Sequence, residues 1–442
     1  MQPADKLILH GLVITMDDQL TVLDDGAIAI VGAGIVAVGP TSEVSAQFVG
    51  PTTEVIDATG QLVMPGLINA HTHAADSLFR GLVDDLALEP WLERLWVAER
   101  KFLRPETVRL GAQLAQAEMI RGGTTAALDM FWHPEVSAQV AKAIGFRLMT
   151  GPVYFDFAEP DNIPVEQRTA RGREFLQEYQ RDPLIVPCVT PHSTYTVSPA
   201  YLQEAQALAD EFGVLLSTHA SETNAEVATV SQRYGQSPPR HLDDLGMLTE
   251  RTVLAHCVHL PDDEINLLAR RQTVVAHCPL SNLKLGSGVA PIPGMRQGGV
   301  RTTLGTDGPV SGNDLDMWLT MRLAATLHKG VQQNPTLMPA VEVVKMATCD
   351  AASALGLGDK IGSLAAGKQA DLILIDLEQP HLTPLYDVYS HLVYAVGRAD
   401  MATVLIRGRV VMQERELTTL DEASVIAAVQ ELAQAIKKES KS

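Results

Sequence analysis

Residue types that bind metals and move protons recur at the carboxyl ends of apolar runs. His71 and His73 follow VMPGLIN (63–69), His219 ends VLLSTHA (214–220), His256 lies in TVLAHCV (252–258) and Asp307 closes RTTLGTD (301–307). On an extended segment residues two apart face the same side, so His71 and His73 can reach one cation. Three imidazoles and a carboxylate make a nitrogen/oxygen set suited to Zn²⁺ or another divalent transition ion. The plain alternative for each histidine is a hydrogen-bonded cap on a buried strand, an alternative that weakens when all of them point at one rim. With one ligand charge against two, such a site stays cationic, and protein-bound Zn²⁺ can lower the pKa of its water from ~15.7 to about 7. Asp307 can both touch the metal and take the water's proton. Glu222, three residues beyond His219 in THASETNAEV, is placed to act on the substrate as an acid, whereas Glu226 fits the following helix. His256 is expected to orient the attacking water, and His259 to be structural.

These residues need a scaffold that delivers them to one place. Eight apolar runs follow one another: the four above together with TTAALDM (124–130), FRLMTGPV (146–153), LIVPCVT (184–190) and TVVAHCP (273–279). Helical stretches fill the intervals, among them ETVRLGAQLAQAEMIRGG, stopped by glycine, and SPAYLQEAQALADEFG, opened by Ser198-Pro199. Alternation of this kind predicts an α/β fold, and eight units is the number that closes a (β/α)8 TIM-type barrel over residues 62–361. Residues 1–61 and 362–417 share another texture, short strands broken at turns, and predict one small β-sandwich domain formed by the N- and C-terminal flanks. Residues 418–442 predict an amphipathic helix and a charged tail. Gly32, Gly34 and Ala37 imitate a dinucleotide fingerprint, but IVAVG continues as a β-branched run where a helix is required. A hairpin turn at Ala33-Gly34 is the better reading.

At 442 residues there is room for two or three domains, and 46% hydrophobic residues can bury a large core. Thirty-four basic against 53 acidic residues give a net charge of −19. A field of that sign repels phosphate backbones and argues against nucleic-acid binding. Four cysteines cannot build a disulfide framework, and the lack of any C-x-x-C pair excludes zinc ribbons, thioredoxin chemistry and the cytidine-deaminase zinc site. The N-terminus lacks the pattern of a signal peptide, and no apolar run reaches the roughly 18 residues of a bilayer span. The expectation is a cytoplasmic protein without membrane or nucleic-acid partners.

NAHTHAADSLFRGLVDDL, STHASET, LAHCVHL, SNLKLGSGVAP and LGTDG resemble the amidohydrolase superfamily, and more narrowly its methylthioadenosine/S-adenosylhomocysteine deaminase family. The resemblance covers nearly the whole chain, the split β domain included. It implies one divalent metal ion per subunit, Zn²⁺ with Fe²⁺ or Mn²⁺ as alternatives, held by His71, His73, His219 and Asp307. It also implies Glu222 as proton shuttle and His256 against the water. Trp91 and Glu99 would contribute to a nucleoside pocket, Glu99 on the ribose hydroxyls, with His192 facing the sugar and Ser311 near the base. The stretch around Glu99 is one residue shorter than the family pattern, so Glu99 is a choice over its neighbours. The plain alternatives are a core aromatic at Trp91 and a helix cap at Ser311. A homo-oligomer, dimer or tetramer, is implied as well.

One departure bears on the substrate. Homocysteine-accepting relatives place an arginine just after strand three. Here Gly151-Pro152 stand there, followed by the acidic and aromatic YFDFAEPD, and nothing in the sequence places Arg171 or Arg173 at the pocket. The expected activity is hydrolytic deamination of 5′-methylthioadenosine or a similar 5′-modified adenosine, with a neutral 5′ group preferred over S-adenosylhomocysteine. Ammonia and an inosine-type nucleoside would be released. The rivals are an aminohydrolase or chlorohydrolase of another nitrogen heterocycle (s-triazine, guanine, cytosine or pterin) and, from a different class, a non-catalytic scaffold.

Overall fold

In the computed structural model, residues 3–158 and 160–439 are described. Eight parallel strands follow the eight apolar runs. Leu67–Thr72, Thr124–Asp129, Arg147–Thr150 and Ile185–Pro187 form one four-stranded sheet. Leu216–Ala220, Thr252–His256, Val274–His277 and Arg301–Leu304 form another. Most of these strands are buried at every position, which is why they read as continuous apolar runs rather than as alternation. Backbone hydrogen bonds link the sheets on both sides. Val189 N–H donates to Leu215 and Ser217 N–H donates to Val189, each at 2.9 Å, and Asp307 N–H donates to His71 at 3.0 Å. At this second seam a Cβ on Gly305 would lie 2.9 Å from the Cβ and carbonyl of His71, so only glycine lets first and last strands approach.

Three runs divide where the sequence reads them whole. Run 63–69 breaks at Gly66, leaving Gln61–Pro65 in the flank sheet and Leu67–Thr72 at the head of the parallel series. Runs 146–153 and 184–190 each yield two strands, and their second halves, Val153–Tyr154 and Thr190–Pro191, pair with each other. Pro152 and Pro187 each remove a ladder donor. Gly151 presses on the Cys188 carbonyl, where a Cβ would come within 1.7 Å of the oxygen. A long side chain cannot stand at that point.

Strands from both flanks share one nine-stranded mixed sheet, joined where Gln61–Pro65 runs antiparallel to Leu372–Asp376. The hairpin of Val22–Val31 and Gly34–Pro40 turns on Gly32-Ala33, one residue earlier than expected, with Gly32 at φ +57°. Two flank helices escaped the sequence reading. Thr41–Phe48 buries only Thr41 and Val44, too few to leave a periodic signal. Val388–Tyr394 leaves the sheet to pack on helices Met317–Val331 and Ala340–Met346. Where the flank meets the parallel strands, Arg147 donates from Nε and Nη2 to the Asp371 carboxylate at 2.8 and 3.1 Å, both side chains 1% exposed. Helix Glu422–Glu439 packs on Pro105–Arg121. The expected tail beyond it, residues 440–442, lies outside the described residues, as do residues 1 and 2 and Glu159 of the acidic loop. Among the described residues no helix is long and apolar enough to cross a membrane.

Candidate active site

The four residues expected to bind a metal arrive from three separate stretches of chain and converge, their ligand atoms all within 4.8 Å of one another. His219 Nε2 lies 3.2 Å from the Nε2 atoms of both His71 and His73, and Asp307 Oδ1 lies 3.4 and 3.2 Å from the same two atoms. The second ring nitrogens settle the tautomers. His73 Nδ1 is 2.6 Å from the Met130 carbonyl and His219 Nδ1 is 2.8 Å from the His192 carbonyl. A carbonyl only accepts, so both Nδ1 atoms carry hydrogen and each ring, when neutral, turns an Nε2 lone pair inward. Lone pairs facing one another at such distances repel unless a proton or a metal ion lies between them. The donor set therefore fits a divalent ion with its orienting outer contacts already in place.

Charge follows the same logic. Burial drives His71 down to about 4 and His219 well below the ordinary imidazole value. Burial also opposes charge on His73, but the Asp307 carboxylate outweighs it and lifts His73 to about 10, so metal binding must displace a proton there. Burial alone would raise Asp307, yet His71 and His73 hold it well below the carboxylate range. Its other oxygen accepts the hydroxyls of Ser281 at 2.6 Å and Ser311 at 2.7 Å. Ser311, expected near the base, thus lines the cleft with its hydroxyl directed at Asp307. Asp307 and His256 take left-handed backbone angles, φ +61° and +75°, at the strand ends that carry them.

Beside this centre stand His256 and Glu222. His256 Nδ1 donates to Asn282 Oδ1 at 2.9 Å, which leaves Nε2 as the acceptor, 3.6 Å from Glu222 Oε2. Burial raises the Glu222 carboxyl, so it keeps its proton to higher pH than an exposed glutamate. Glu226 differs from its expected place on a solvated helix face. It is buried, and its two oxygens accept the backbone N–H groups of Ser221 and Glu222. His259 bonds the Ser287 carbonyl at 2.8 Å, in keeping with a structural part.

A cleft lined by both polar and aromatic side chains opens over the centre. Trp91, Glu99, His192 and Ser311 all line it. Helix Leu88–Phe102 brings the first two, because its buried face runs Leu88, Trp91, Leu95, Ala98 and Glu99 at helical spacing. Trp91 Nε1 donates to the Val83 carbonyl and Trp132 Nε1 to Glu99, so each indole keeps its ring for packing. Phe155 stacks on Trp132 and tilts against His192, both with ring centroids 4.6 Å away. Among the described residues no arginine or lysine lines the cleft. Arg173 pairs with Glu211 at 2.8 Å on the surface, and Arg171 lines a different cleft beside Glu135.

Four further residues were not singled out from the sequence. Ser281 and Asn282 sit in the SNLKLG stretch, whose polar pair directly after a buried strand was the available signal. Asp76 was visible as the one charge in AADSLF. Burial lifts it to about 7, and burial together with Asp76 pushes Glu99 well above the carboxylate range. Tyr195, in TPHSTY, had no distinguishing feature.

Comparison with known proteins gives the family. The amidohydrolase family model matches residues 62–411. The 5-methylthioadenosine/S-adenosylhomocysteine deaminase of Syntrophobacter fumaroxidans is 43% identical over 435 residues, 98% of this chain and 99% of that one. The 5'-deoxyadenosine deaminase of Methanosarcina mazei is 39% identical, covering 98% of each chain. The crystal structure of a Xanthomonas campestris adenosine deaminase with bound zinc superposes with a TM-score of 0.96 at 39% identity, covering 99% of both chains. With matches of that length and identity, the chain belongs to the amidohydrolase family, in its methylthioadenosine/S-adenosylhomocysteine deaminase branch.

Proposed function

We propose that this protein is a metal-dependent hydrolytic deaminase of adenine nucleosides, with 5′-methylthioadenosine or a similar 5′-modified adenosine as substrate. The observation that carries the reading is the meeting, in one cleft, of an inward-facing His/His/His/Asp set with Glu222 and His256. The curated relatives named as deaminases of 5′-modified adenosines support the substrate class. We read the eight parallel strands as a closed (β/α)8 barrel over residues 62–361, supported by backbone bonds at both seams. The flanks, 1–61 and 362–417, are read as one β-sandwich, supported by a core shared among Ile8, Val63, Leu372 and Leu405. The oligomer and the cytoplasmic location expected from the sequence belong to the same reading.

His71, His73, His219 and Asp307 would hold one divalent ion, zinc first. When bound, such an ion supplies the Lewis acidity that readies water for attack near neutral pH. Glu222 donates its proton to the ring nitrogen next to the amine-bearing carbon and makes that carbon electrophilic. His256 accepts a hydrogen bond from the attacking water at Nε2, its tautomer fixed by Asn282. Asp307 takes the water's proton and passes it to the departing amine, while Ser281 and Ser311 steady its charged form. Ammonia and an inosine-type nucleoside leave. The deciding experiment follows ammonia release from 5′-methylthioadenosine, 5′-deoxyadenosine, adenosine and S-adenosylhomocysteine side by side on metal-analysed enzyme, with chlorotriazines assayed for chloride. Turnover of the triazines alone would replace this reading with the chlorohydrolase rival, and no turnover with full metal would favour the scaffold.

A further inference from the structure

We infer that Asp76 is a specificity-determining residue: it pairs with Glu99 to form a two-carboxyl grip for the vicinal hydroxyls of the sugar. The inference rests on the nucleoside reading and adds to it a residue with no role in the chemistry above. Asp76 sits in the short 3₁₀ helix Ala74–Phe79, directly after the two metal-type histidines, and Glu99 comes from the helix Leu88–Phe102. Both line the cleft, at 4% and 3% exposure, and their carboxyls lie within hydrogen-bond reach of each other. Glu99 has one donor, Trp132 Nε1 at 3.2 Å, and Asp76 Oδ1 has none. A proton shared between the two carboxyls serves only part of their acceptor capacity, and among the described residues no lysine or arginine lines the cleft to serve the rest. A cis-diol carries two O–H donors at the spacing of two adjacent carboxyls, and acidic side chains are a common partner of ribose hydroxyls. A 2′- or 3′-deoxy sugar would leave one acceptor unpaired.

The test compares kcat/KM for adenosine with that for its 2′-deoxy and 3′-deoxy analogues, in the wild type and in Asp76→Asn and Asp76→Ala, with metal content measured on each. The wild type should prefer the riboside by roughly 10- to 100-fold, the loss expected when a buried hydrogen-bonding group goes unpaired. That preference should shrink by about 10-fold or more in both variants, through KM more than kcat. If alanine disturbs metal loading, the asparagine variant decides. Equal use of ribosides and deoxyribosides by the wild type, or an undiminished preference in the metal-loaded variants, would overturn the inference and leave the deaminase reading standing. Failure to deaminate any adenine nucleoside would instead remove that reading and this inference with it.

Discussion

The carboxylate of Glu226 accepts the backbone N–H of Glu222 at 2.6 Å while its other oxygen accepts that of Ser221 at 3.0 Å. Ser221 stands at φ +53°, so the turn that aims Glu222 into the cleft is held by a side chain four residues further on. Glu226→Gln keeps the volume but sets an NH₂ group against a backbone donor. The expected cost is about 1–3 kcal/mol in stability. We also expect a kcat about 10-fold lower with KM little changed, since a misplaced acid slows the chemistry more than the binding. Thermal melting and steady-state kinetics read the two effects. An unaltered kcat would mean that Glu222 finds its position unaided.

Glu222 itself should be far more sensitive. Glu222→Gln is expected to lower kcat by roughly 10²- to 10⁴-fold while nucleoside binding, followed by calorimetry, persists. The pH dependence has a definite sign. In the proposed mechanism the working form is protonated, and burial raises this carboxyl, so activity should be present below its pKa and lost as pH rises through it. That alkaline limb should vanish from the residual activity of the glutamine variant. A limb that stays in place belongs to another group.

Asp307→Asn separates two duties. The amide retains an oxygen for the metal but cannot take up a proton, so the variant should contain metal and turn over nothing measurable. Metal-replete protein with retained activity would remove Asp307 from its place as base.

Removal of the metal should abolish turnover and lower the melting temperature, and added Zn²⁺ should restore both. A ligand present at a thousand times its Kd stabilises by about 4 kcal/mol. His73→Ala should behave like the chelated protein at every zinc concentration tried. Undiminished activity after exhaustive chelation would contradict a metal-dependent mechanism.

The cleft walls also set an order among substrates. With Phe155 and Trp132 stacked along one side, S-adenosylhomocysteine finds no lysine or arginine among the described residues of the lining to pair with its carboxylate. Its kcat/KM should fall at least about 10-fold below that of 5′-methylthioadenosine, the worth of one charge-assisted contact. Equal values would point to a cation delivered from elsewhere.

Much of this was legible in the chain because period and chemistry coincide. His71 and His73 share a face of an extended segment, and His219, His256 and Asp307 each mark the end of a buried run. Those patterns survive without coordinates. Glu99 came from the family resemblance rather than from the pattern, and the structure shows it continuing the buried stripe of Leu88, Trp91 and Leu95. Glu226 was misplaced because helical spacing tells which face a residue takes, not that a buried carboxylate is satisfied by two backbone N–H groups. Asn282 and Ser281 act on His256 and Asp307 across neighbouring strands, and such lateral contacts have no one-dimensional signature. The splits at Gly66 and Gly151 were equally hidden, since a close approach of two backbones depends on the partner strand.

The bidentate contact of Arg147 with Asp371 has an implication for how the protein is made. The guanidinium lies in the third parallel strand, and its counter-charge is synthesised 224 residues later. Until the ribosome has released that stretch, folding this strand would bury a positive charge with no carboxylate opposite it and only the Pro183 carbonyl to meet it, a penalty of about 3–5 kcal/mol against a total stability of roughly 5–15. Nascent or shortened chains ending before Asp371 should therefore stay open and dependent on chaperones, however complete their catalytic residues.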